Sequence, residues 1–216
     1  QFDGLLKHFS AEEPVFALDF PGHGADSTEG DFSLVLFSKS VLKFMDEHNI
    51  ARANLFGYSM GGYVALYLAS THPERIRHVA TYGTKLEWSP ETASNMNRMF
   101  DPEKIEAKVP HFAAALAATH ADWKSTCYKT AAFLQDLGDG KGIDWSAFSF
   151  IACPVTIGWG SEDNVVSESE CRHAAGLIPH GNFVELIGAK HQIELVDLNL
   201  LFKFVEKALL PPPLVV

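Results

Sequence analysis

The sequence of 216 residues has few cysteines, and their pattern does not indicate disulfide bonds. The three cysteines, Cys127, Cys153 and Cys171, are odd in number and widely spaced, and none forms a CxxC motif. Secreted domains stabilised by disulfides usually carry an even number of cysteines at close spacing. We also recognise no signal peptide in the sequence. We therefore expect reduced thiols and a cytoplasmic location.

The sequence also lacks long apolar runs, basic clusters and the spacing of metal ligands. No apolar stretch approaches the ~20 residues that a transmembrane helix requires. Acidic residues outnumber basic residues by 27 to 17, which gives a formal net charge of -10, whereas nucleic-acid binding needs clustered Lys and Arg. The histidines and acidic residues lack the spacing of zinc ligands. We expect no membrane span, no nucleic-acid partner, no metal and no cofactor; the oligomeric state stays open.

The chain does contain an alternation of strand and helix patterns. Short runs with the composition of buried strands cover residues 14–20 (PVFALDF), 53–56, 76–82, 155–160 and 183–187. Apolar residues at helical spacing cover residues 2–9, 32–48, 61–72, 167–177 and 192–209, and prolines 211–213 follow the last of these. This alternation predicts the α/β class, with a mostly parallel sheet flanked by helices on both faces.

The middle of the chain differs from the rest. Residues 84–149 show no strand pattern and are rich in alanine and aromatic residues, which predicts several short helices. An insertion between two strands at the carboxyl edge of a parallel sheet lies where ligands bind. We therefore predict a core domain of residues 1–83 and 150–216 with a helical cap of residues 84–149. The side chains expected to contact a substrate are Tyr58, Trp88, Met99, Phe112 and Trp123.

The most informative motif is GYSMGG, residues 57–62, which follows a predicted strand and opens a predicted helix. A sharp strand-to-helix turn would present the side chain of Ser59, and close approach of the neighbouring turns would require small residues at Gly57 and Gly61. The helix N-terminus favours a developing anion, and the backbone N–H of Met60 can point at an oxyanion. This setting predicts a nucleophilic serine; the alternative is a chance GxSxG sequence.

A serine nucleophile needs a base and an acid that orients the base, in the chain order Ser, acid, His for this architecture. His173 falls inside a predicted helix and His180 in a turn, whereas His191 follows the last strand at the carboxyl edge. We therefore predict His191 as the base. Asp163, in the loop after the strand at 155–160, is the predicted acid, although Asp also favours turns and helix caps. We expect the adjacent Glu162 to be a solvated charge.

Several motifs in a fixed order resemble the α/β-hydrolase superfamily. They are DFPGHG at 19–24, GYSMGG at 57–62, THPERI at 71–76, GSEDNVV at 160–166 and the late His191. The resemblance covers nearly the whole chain and is closest to small cap-bearing serine esterases. It implies Ser59 as nucleophile, Asp163 as acid, His191 as base and residues 84–149 as the cap. His23 precedes the serine, so we expect it to have a structural role.

The resemblance also implies strands before Gln1. In the family, one of these strands ends in a loop that supplies a second oxyanion N–H, and this missing strand lies between the strands predicted here at 14–20 and 53–56. The chain starts with Gln rather than Met. We therefore expect an α/β-hydrolase fold that is incomplete at its N-terminus.

The expected activity is hydrolysis of a small to medium carboxylic ester or thioester without a cofactor. Ser59 would attack the carbonyl while His191 takes its proton, and water would then release the acyl group. Serine rather than aspartate at the elbow disfavours the epoxide hydrolase and haloalkane dehalogenase branches. Two alternatives stay open: hydrolysis of a carbon–carbon bond in a diketone-like substrate, and a non-catalytic ligand-binding protein on the same fold.

Overall fold

The computed structural model describes residues 1–9, 14–26 and 30–209, and its elements follow the predicted alternation. The strands are β1 (Ala53–Tyr58), β2 (Ile76–Tyr82), β3 (Val155–Glu162) and β4 (Gly181–Lys190). The helices are α1 (Asp3–Leu6), α2 (Leu34–Glu47), α3 (Met60–Thr71), α4 (Pro90–Asn97), α5 (Pro102–Lys108), α6 (Pro110–Thr119), α7 (Trp123–Asp136), α8 (Glu168–Leu177) and α9 (Leu198–Leu209). Short 3-10 turns cover Pro73–Arg75, Trp145–Phe150 and Ile193–Leu195. Prolines 211–213 lie outside the described residues.

The described strands form one parallel sheet in the order β1-β2-β3-β4, which confirms the predicted fold class. Successive side chains of β2 point to opposite faces. Tyr82 packs into a cluster with Phe204 of α9, whereas Thr81 faces Gly62 of α3. Helix α3 packs on β1 and β2, and α8 packs on β3 and β4. Helices therefore cover both faces of the sheet.

Packing divides the chain into two compact units. The first consists of Gln1–Ala17, Met45–Glu87 and Asp144–Val216 and contains the whole sheet. Between the sheet and α9 lies a cluster of buried side chains: Leu5, Ala80, Tyr82, Leu186, Ala189, Ile193, Val196, Leu201, Phe204, Val205 and Leu209. Each large apolar side chain buried in this way contributes roughly 1.5–3 kcal/mol. This cluster fixes the sheet on which the candidate site is built.

The second unit consists of Leu18–Phe44 and Trp88–Ile143. Its middle segment is helical, as predicted, because side chains cap the successive helices. Ser89, Asp101 and Asp122 accept hydrogen bonds from backbone N–H groups in the first turns of α4, α5 and α7. A small core lies among these helices and consists of Ile105, Ala113, Trp123 and Cys127.

The predicted strand at residues 14–20 is wrong. These residues form no strand, and Val15, Phe16 and Leu18 are exposed. A strand needs the backbone groups of a neighbour, and β1 at the edge of the sheet pairs only with β2 among the described residues. An apolar composition alone therefore does not produce a strand here.

Some helix limits also differ from the prediction. Helix α1 covers only Asp3–Leu6 of the predicted 2–9, and the last helix starts at Leu198 rather than at residue 192. Its start is fixed by Asp197, whose carboxylate accepts a hydrogen bond from the N–H of Leu200 at 2.8 Å. The apolar residues before this cap form the separate turn Ile193–Leu195.

Within the described ranges, no helix is both long enough and apolar enough to cross a membrane. The same part of the chain holds no group of three or more His, Cys, Asp or Glu side chains that could bind a metal ion.

Candidate active site

The candidate site lies at the carboxyl ends of the strands, where each strand is followed by a residue of interest. Ser59 follows β1, Gly83 follows β2, Asp163 follows β3 and His191 follows β4. Parallel strands present these ends at one edge of the sheet. The register pairs Tyr58 with Tyr82 and Glu162 with Lys190. The residues that follow these pairs therefore also lie side by side: Ser59 beside Gly83, and Asp163 beside His191.

Ser59 occupies an unusual backbone conformation, with φ 51° and ψ -116°. Non-glycine residues rarely adopt positive φ, and such residues cluster at functional sites. The N–H of Ser59 donates to the carbonyl of Tyr82 at 2.9 Å, and the carbonyl of Ser59 accepts from Gly62 and Tyr63 at 3.1 and 3.3 Å. The turn is thus held from both the neighbouring strand and the helix that follows.

Two glycines permit this turn, but they are not the predicted pair. A Cβ on Gly57 would overlap the backbone of Gly61 and Gly62, as the sequence predicted for this position. A Cβ on Gly62 would overlap the hydroxyl of Thr84 and come within 3.0 Å of the carbonyl oxygen of Gly57. A Cβ on Gly61 would meet nothing within 4 Å. The predicted steric requirement at Gly61 is therefore wrong, and it applies to Gly62 instead.

Met60 is the first residue of α3. The first N–H groups of a helix have no acceptor within the helix, and the helix dipole places partial positive charge there. The N–H of Met60 is thus a donor directly beside Ser59. This is the position at which the sequence predicts an oxyanion contact.

Asp163 and His191 are joined by a hydrogen bond. The Nδ1 atom of His191 lies 2.9 Å from Oδ2 of Asp163, and the two side chains are 14% and 0% exposed. A carboxylate only accepts hydrogen bonds, so Nδ1 carries the proton and donates. The Nε2 atom of the neutral ring is then free to accept a proton, which is what a general base requires.

The carboxylate of Asp163 is held in its ionised form. Its Oδ1 atom accepts hydrogen bonds from the N–H groups of Val165 and Val166 at 2.7 and 2.9 Å. Burial would raise the pKa of Asp163, but the bonds from His191 and from these two N–H groups outweigh burial and lower the pKa. Asp163 is therefore suited to orient His191 and to stabilise its protonated form.

The imidazole of His191 lies against the turns that follow β1 and β2. A Cβ on Gly83, which has φ +58°, would be 3.4 Å from ring atoms of His191. The ring of Tyr58 lies 5.7 Å from the imidazole, centroid to centroid. Within the described residues no hydrogen bond joins the Ser59 hydroxyl to His191, a contact that in enzymes often tightens only when substrate binds.

The loop after Asp163 is anchored by a buried carboxylate on α8. Glu170 is 2% exposed and accepts hydrogen bonds from the ammonium of Lys85 at 2.9 and 3.0 Å. It also accepts from the N–H groups of Ser167, Leu86 and Glu87 at 2.7, 3.2 and 2.8 Å. A buried charge is tolerated when it is paired and fully hydrogen-bonded. Glu170 thus fixes the far end of the acid loop to the segment that follows β2.

The remaining candidates for acid and base lie away from this arrangement. His173 is exposed on α8, and its ring stacks on Trp145 at 4.7 Å. His180 is exposed, and its carbonyl accepts the N–H of Val155. Glu162 is exposed at the end of β3, in line with a solvated charge.

His23 belongs to the second unit and has structural contacts there. Its ring stacks on Phe32 at 5.1 Å, and its Nδ1 atom lies 3.2 Å from the carbonyl oxygen of Pro21. Burial lowers the pKa of His23. These contacts favour the structural role expected from the sequence.

The residues predicted to contact substrate occupy different environments. Tyr58 is half-buried in the first unit beside Tyr82 and His191. In the second unit Trp123 belongs to the buried core and Trp88 is half-buried, whereas Met99 and Phe112 are 53% and 48% exposed. Their contact with substrate stays a prediction.

Sequence reasoning missed Tyr82, Gly83 and Glu170. The sequence could have indicated Tyr82 and Gly83, because they stand at the end of the predicted strand at 76–82. Residues at that edge join the site by topology. Glu170 had no comparable signal, since a glutamate in the first turn of a helix is ordinary.

The profile of the family described as "alpha/beta hydrolase fold" matches residues 1–126, more than half of the chain. Together with the parallel sheet and the strand-to-helix turn at Ser59, this match shows that the chain belongs to the α/β-hydrolase family. The predicted superfamily is therefore confirmed.

Some of the relatives are named as hydrolases and others as acetyltransferases. Pimeloyl-[acyl-carrier protein] methyl ester esterase of Neisseria meningitidis serogroup B (strain H44/76) is 38% identical over 76 residues, which cover 35% of this chain and 28% of that esterase. The chain thus matches under a third of that relative's length. The enol-lactonase from Burkholderia xenovorans LB400 is 25% identical with a TM-score of 0.65, over 87% of this chain and 78% of that one.

A further solved structure shows how fully the fold is shared. E-2-(acetamidomethylene)succinate hydrolase superposes with a TM-score of 0.76 at 17% identity, covering 96% of this chain and 85% of that one. At such low identity the likeness establishes the fold alone.

Proposed function

We propose that this protein is a serine hydrolase that cleaves a small to medium carboxylic ester or thioester through an acyl-enzyme on Ser59. The observation that carries the proposal is the meeting of two features at one sheet edge. One is the strained serine turn beside a helix N-terminus, and the other is the hydrogen-bonded pair of Asp163 and His191. Each is typical of acyl-transfer enzymes on this fold.

In this proposal Oγ of Ser59 attacks the substrate carbonyl while Nε2 of His191 takes its proton. The oxyanion that forms accepts the N–H of Met60, and the imidazolium is stabilised by Asp163. The tetrahedral species collapses, and His191 gives the proton to the departing alcohol or thiol. Water then attacks the acyl-enzyme by the same route and releases the acid.

The names of the relatives support an ester as substrate. The neisserial relative is named as a methyl ester esterase, and the solved relative is named as an enol-lactonase, which acts on a cyclic ester. Both of these names refer to a carboxylic ester bond, so ester hydrolysis is the chemistry that these two relatives share. Acyl transfer of this kind uses only the protein's own groups and water.

The same proposal includes a helical cap and a cytoplasmic location. Residues 84–149 would form the cap, with Trp88, Met99 and Phe112 available to an acyl group. A cytoplasmic location is supported by Cys127, Cys153 and Cys171, all of which are buried as free thiols.

The proposal is tested by labelling with a fluorophosphonate probe, followed by peptide mapping and assays with a series of p-nitrophenyl esters. We expect the label on Ser59 and loss of turnover by about 10³-fold or more in Ser59→Ala and in His191→Ala. His180→Ala is the matched control, and its turnover should stay within about twofold of the wild type, since His180 is exposed and precedes β4, at the end of the strand opposite His191.

Three outcomes would contradict this proposal. An unlabelled Ser59 in folded protein would favour the non-catalytic binding protein. Equal losses in His180→Ala and His191→Ala would remove His191 as the base. Turnover of a vinylogous diketone in preference to every ester would favour carbon–carbon bond hydrolysis.

A further inference from the structure

Tyr82, the last residue of β2, contacts both the serine turn and the histidine segment. Its backbone carbonyl accepts the N–H of Ser59 at 2.9 Å. Its side chain runs to the opposite side of the site, where the hydroxyl donates to the carbonyl of Lys190, the residue before His191. A single residue therefore holds the two segments whose side chains must exchange a proton.

The hydroxyl of Tyr82 has a fixed position. The residue is 0% exposed, and its ring stacks on Tyr58 at 6.3 Å with an interplanar angle of 24°. The absence of a side chain at Gly160 makes room for the hydroxyl, because a Cβ there would lie 2.7 Å from it. Burial raises the pKa of Tyr82, so the hydroxyl stays protonated and remains a donor throughout an assay range.

We propose that Tyr82 is a positioning residue that sets the separation between Ser59 and His191. The inference rests on the proposed function, since it assigns those two residues to proton transfer. Without the hydroxyl, the contact from β2 to the Lys190 carbonyl is lost. The histidine segment then keeps its contacts with β3, so its distance from the serine turn after β1 is less well fixed. A displacement of about 1 Å in a reacting group can cost about 10²-fold in rate.

The test is Tyr82→Phe, which removes the hydroxyl and keeps the ring. We expect kcat to fall about 10- to 100-fold with KM within about twofold, because geometry and not substrate affinity is lost. The acid limb of the kcat/KM profile should move to lower pH, since an imidazolium displaced from Asp163 is less stabilised. A purely structural role would leave this limb unchanged.

A second readout is independent of turnover. The proton shared by Asp163 and His191 gives a far-downfield signal in a one-dimensional proton NMR spectrum, and we expect Tyr82→Phe to shift or broaden it. Tyr67→Phe is the matched control: Tyr67 lies on α3 eight residues after Ser59, about 12 Å along the helix. Loss of the Tyr67 hydroxyl should change neither kcat and KM nor the proton signal.

The outcomes separate the two proposals. An active wild type with unchanged kcat, acid limb and proton signal in Tyr82→Phe would overturn the positioning role and leave the hydrolase proposal standing. A wild type that neither labels nor hydrolyses esters would overturn the hydrolase proposal, while the proton signal would still report whether Tyr82 holds His191. Loss of the folded state in Tyr82→Phe would also overturn the inference, because it assigns the hydroxyl to the site and not to the fold.

Discussion

At the scale of single residues, the backbone of Ser59 is strained at the position proposed for the nucleophile. A non-glycine residue in such a backbone region costs of order 1–3 kcal/mol, and that cost is met here by hydrogen bonds to β2 and α3. Selection for stability alone would favour glycine at this position. The presence of serine is therefore an argument for function that is independent of the motif.

Ser59→Gly should stabilise the protein while abolishing ester turnover. Relief of about 1–3 kcal/mol of strain exceeds the roughly 0.5–1 kcal/mol that glycine loses in the unfolded chain. The net gain should be at most about 2.5 kcal/mol, measured by urea unfolding at constant m-value. Ser40→Gly, at a regular position inside α2, is the control and should destabilise. A destabilised Ser59→Gly would show that the turn is unstrained.

Asp163 should make the stability of the protein depend on pH. The pKa of Asp163 in the folded state lies below the ordinary value of 3.8, because its hydrogen bonds outweigh burial. A lowered pKa contributes stability that is present above the unfolded value and is lost as the pH falls through the folded value. The difference in unfolding free energy between wild type and Asp163→Asn should thus be largest at pH 5–7 and shrink below about pH 4.

Urea unfolding at several pH values between 3 and 7 measures this difference. Ser89→Ala is the control, because its hydroxyl caps α4 and does not titrate in this range. Its effect should not vary with pH. A difference for Asp163→Asn that grows as the pH falls would mean that burial wins over the hydrogen bonds.

At the scale of elements, register explains how distant segments form one site. The pairs Tyr58–Tyr82 and Glu162–Lys190 place Ser59 beside Tyr82 and Asp163 beside His191. A slip of one residue would turn these side chains to the opposite faces of the sheet. The site therefore depends on the ends of the strands more than on any loop.

The end of β2 could be predicted from the sequence, whereas β1, β3 and β4 run two or three residues past their predicted ends. Contacts across the strand ends could not be predicted. The strand at 76–82 was placed correctly because a short run rich in β-branched and apolar residues, IRHVATY, ends at a glycine. Residues 14–20 are also rich in apolar residues, but they form no strand. Whether Gly61 or Gly62 must lack a side chain depends on which of them faces β1. The hydrogen bond from the Tyr82 hydroxyl to the Lys190 carbonyl depends on tertiary packing. Neither has a local sequence signal.

The two glycines that open α3 should respond in opposite ways to a methyl group. Gly62→Ala places a Cβ onto the Thr84 hydroxyl and against the Gly57 carbonyl, so it should destabilise by about 1–3 kcal/mol. Gly61→Ala meets open space in a helix and should stabilise by about 0.4–1 kcal/mol. Thermal and urea unfolding of the two variants measures both effects. Similar losses in both would mean that the turn requires glycine at each position for a reason other than contact.

At the scale of the whole molecule, charge and exposed apolar surface act against each other. The net charge of -10 repels a second copy of the chain. Residues 14–17 act in the opposite direction, because the adjacent side chains of Val15 and Phe16 are 40% and 49% exposed. Adjacent exposed apolar side chains favour association between chains. Self-association of the chain should therefore depend on the salt concentration, because salt screens the charge repulsion.

Self-association should rise with ionic strength and fall when this segment is made polar. Screening shortens the range of charge repulsion from about 10 Å at 0.1 M salt to about 3 Å at 1 M, so wild-type sedimentation coefficients should increase between these conditions. Val15→Ser combined with Phe16→Ser should suppress the increase. Phe150→Ser is the control, because Phe150 is a separate aromatic side chain with 70% exposure. An equal decrease in the control would mean that total apolar exposure, and not the segment at 14–17, drives association.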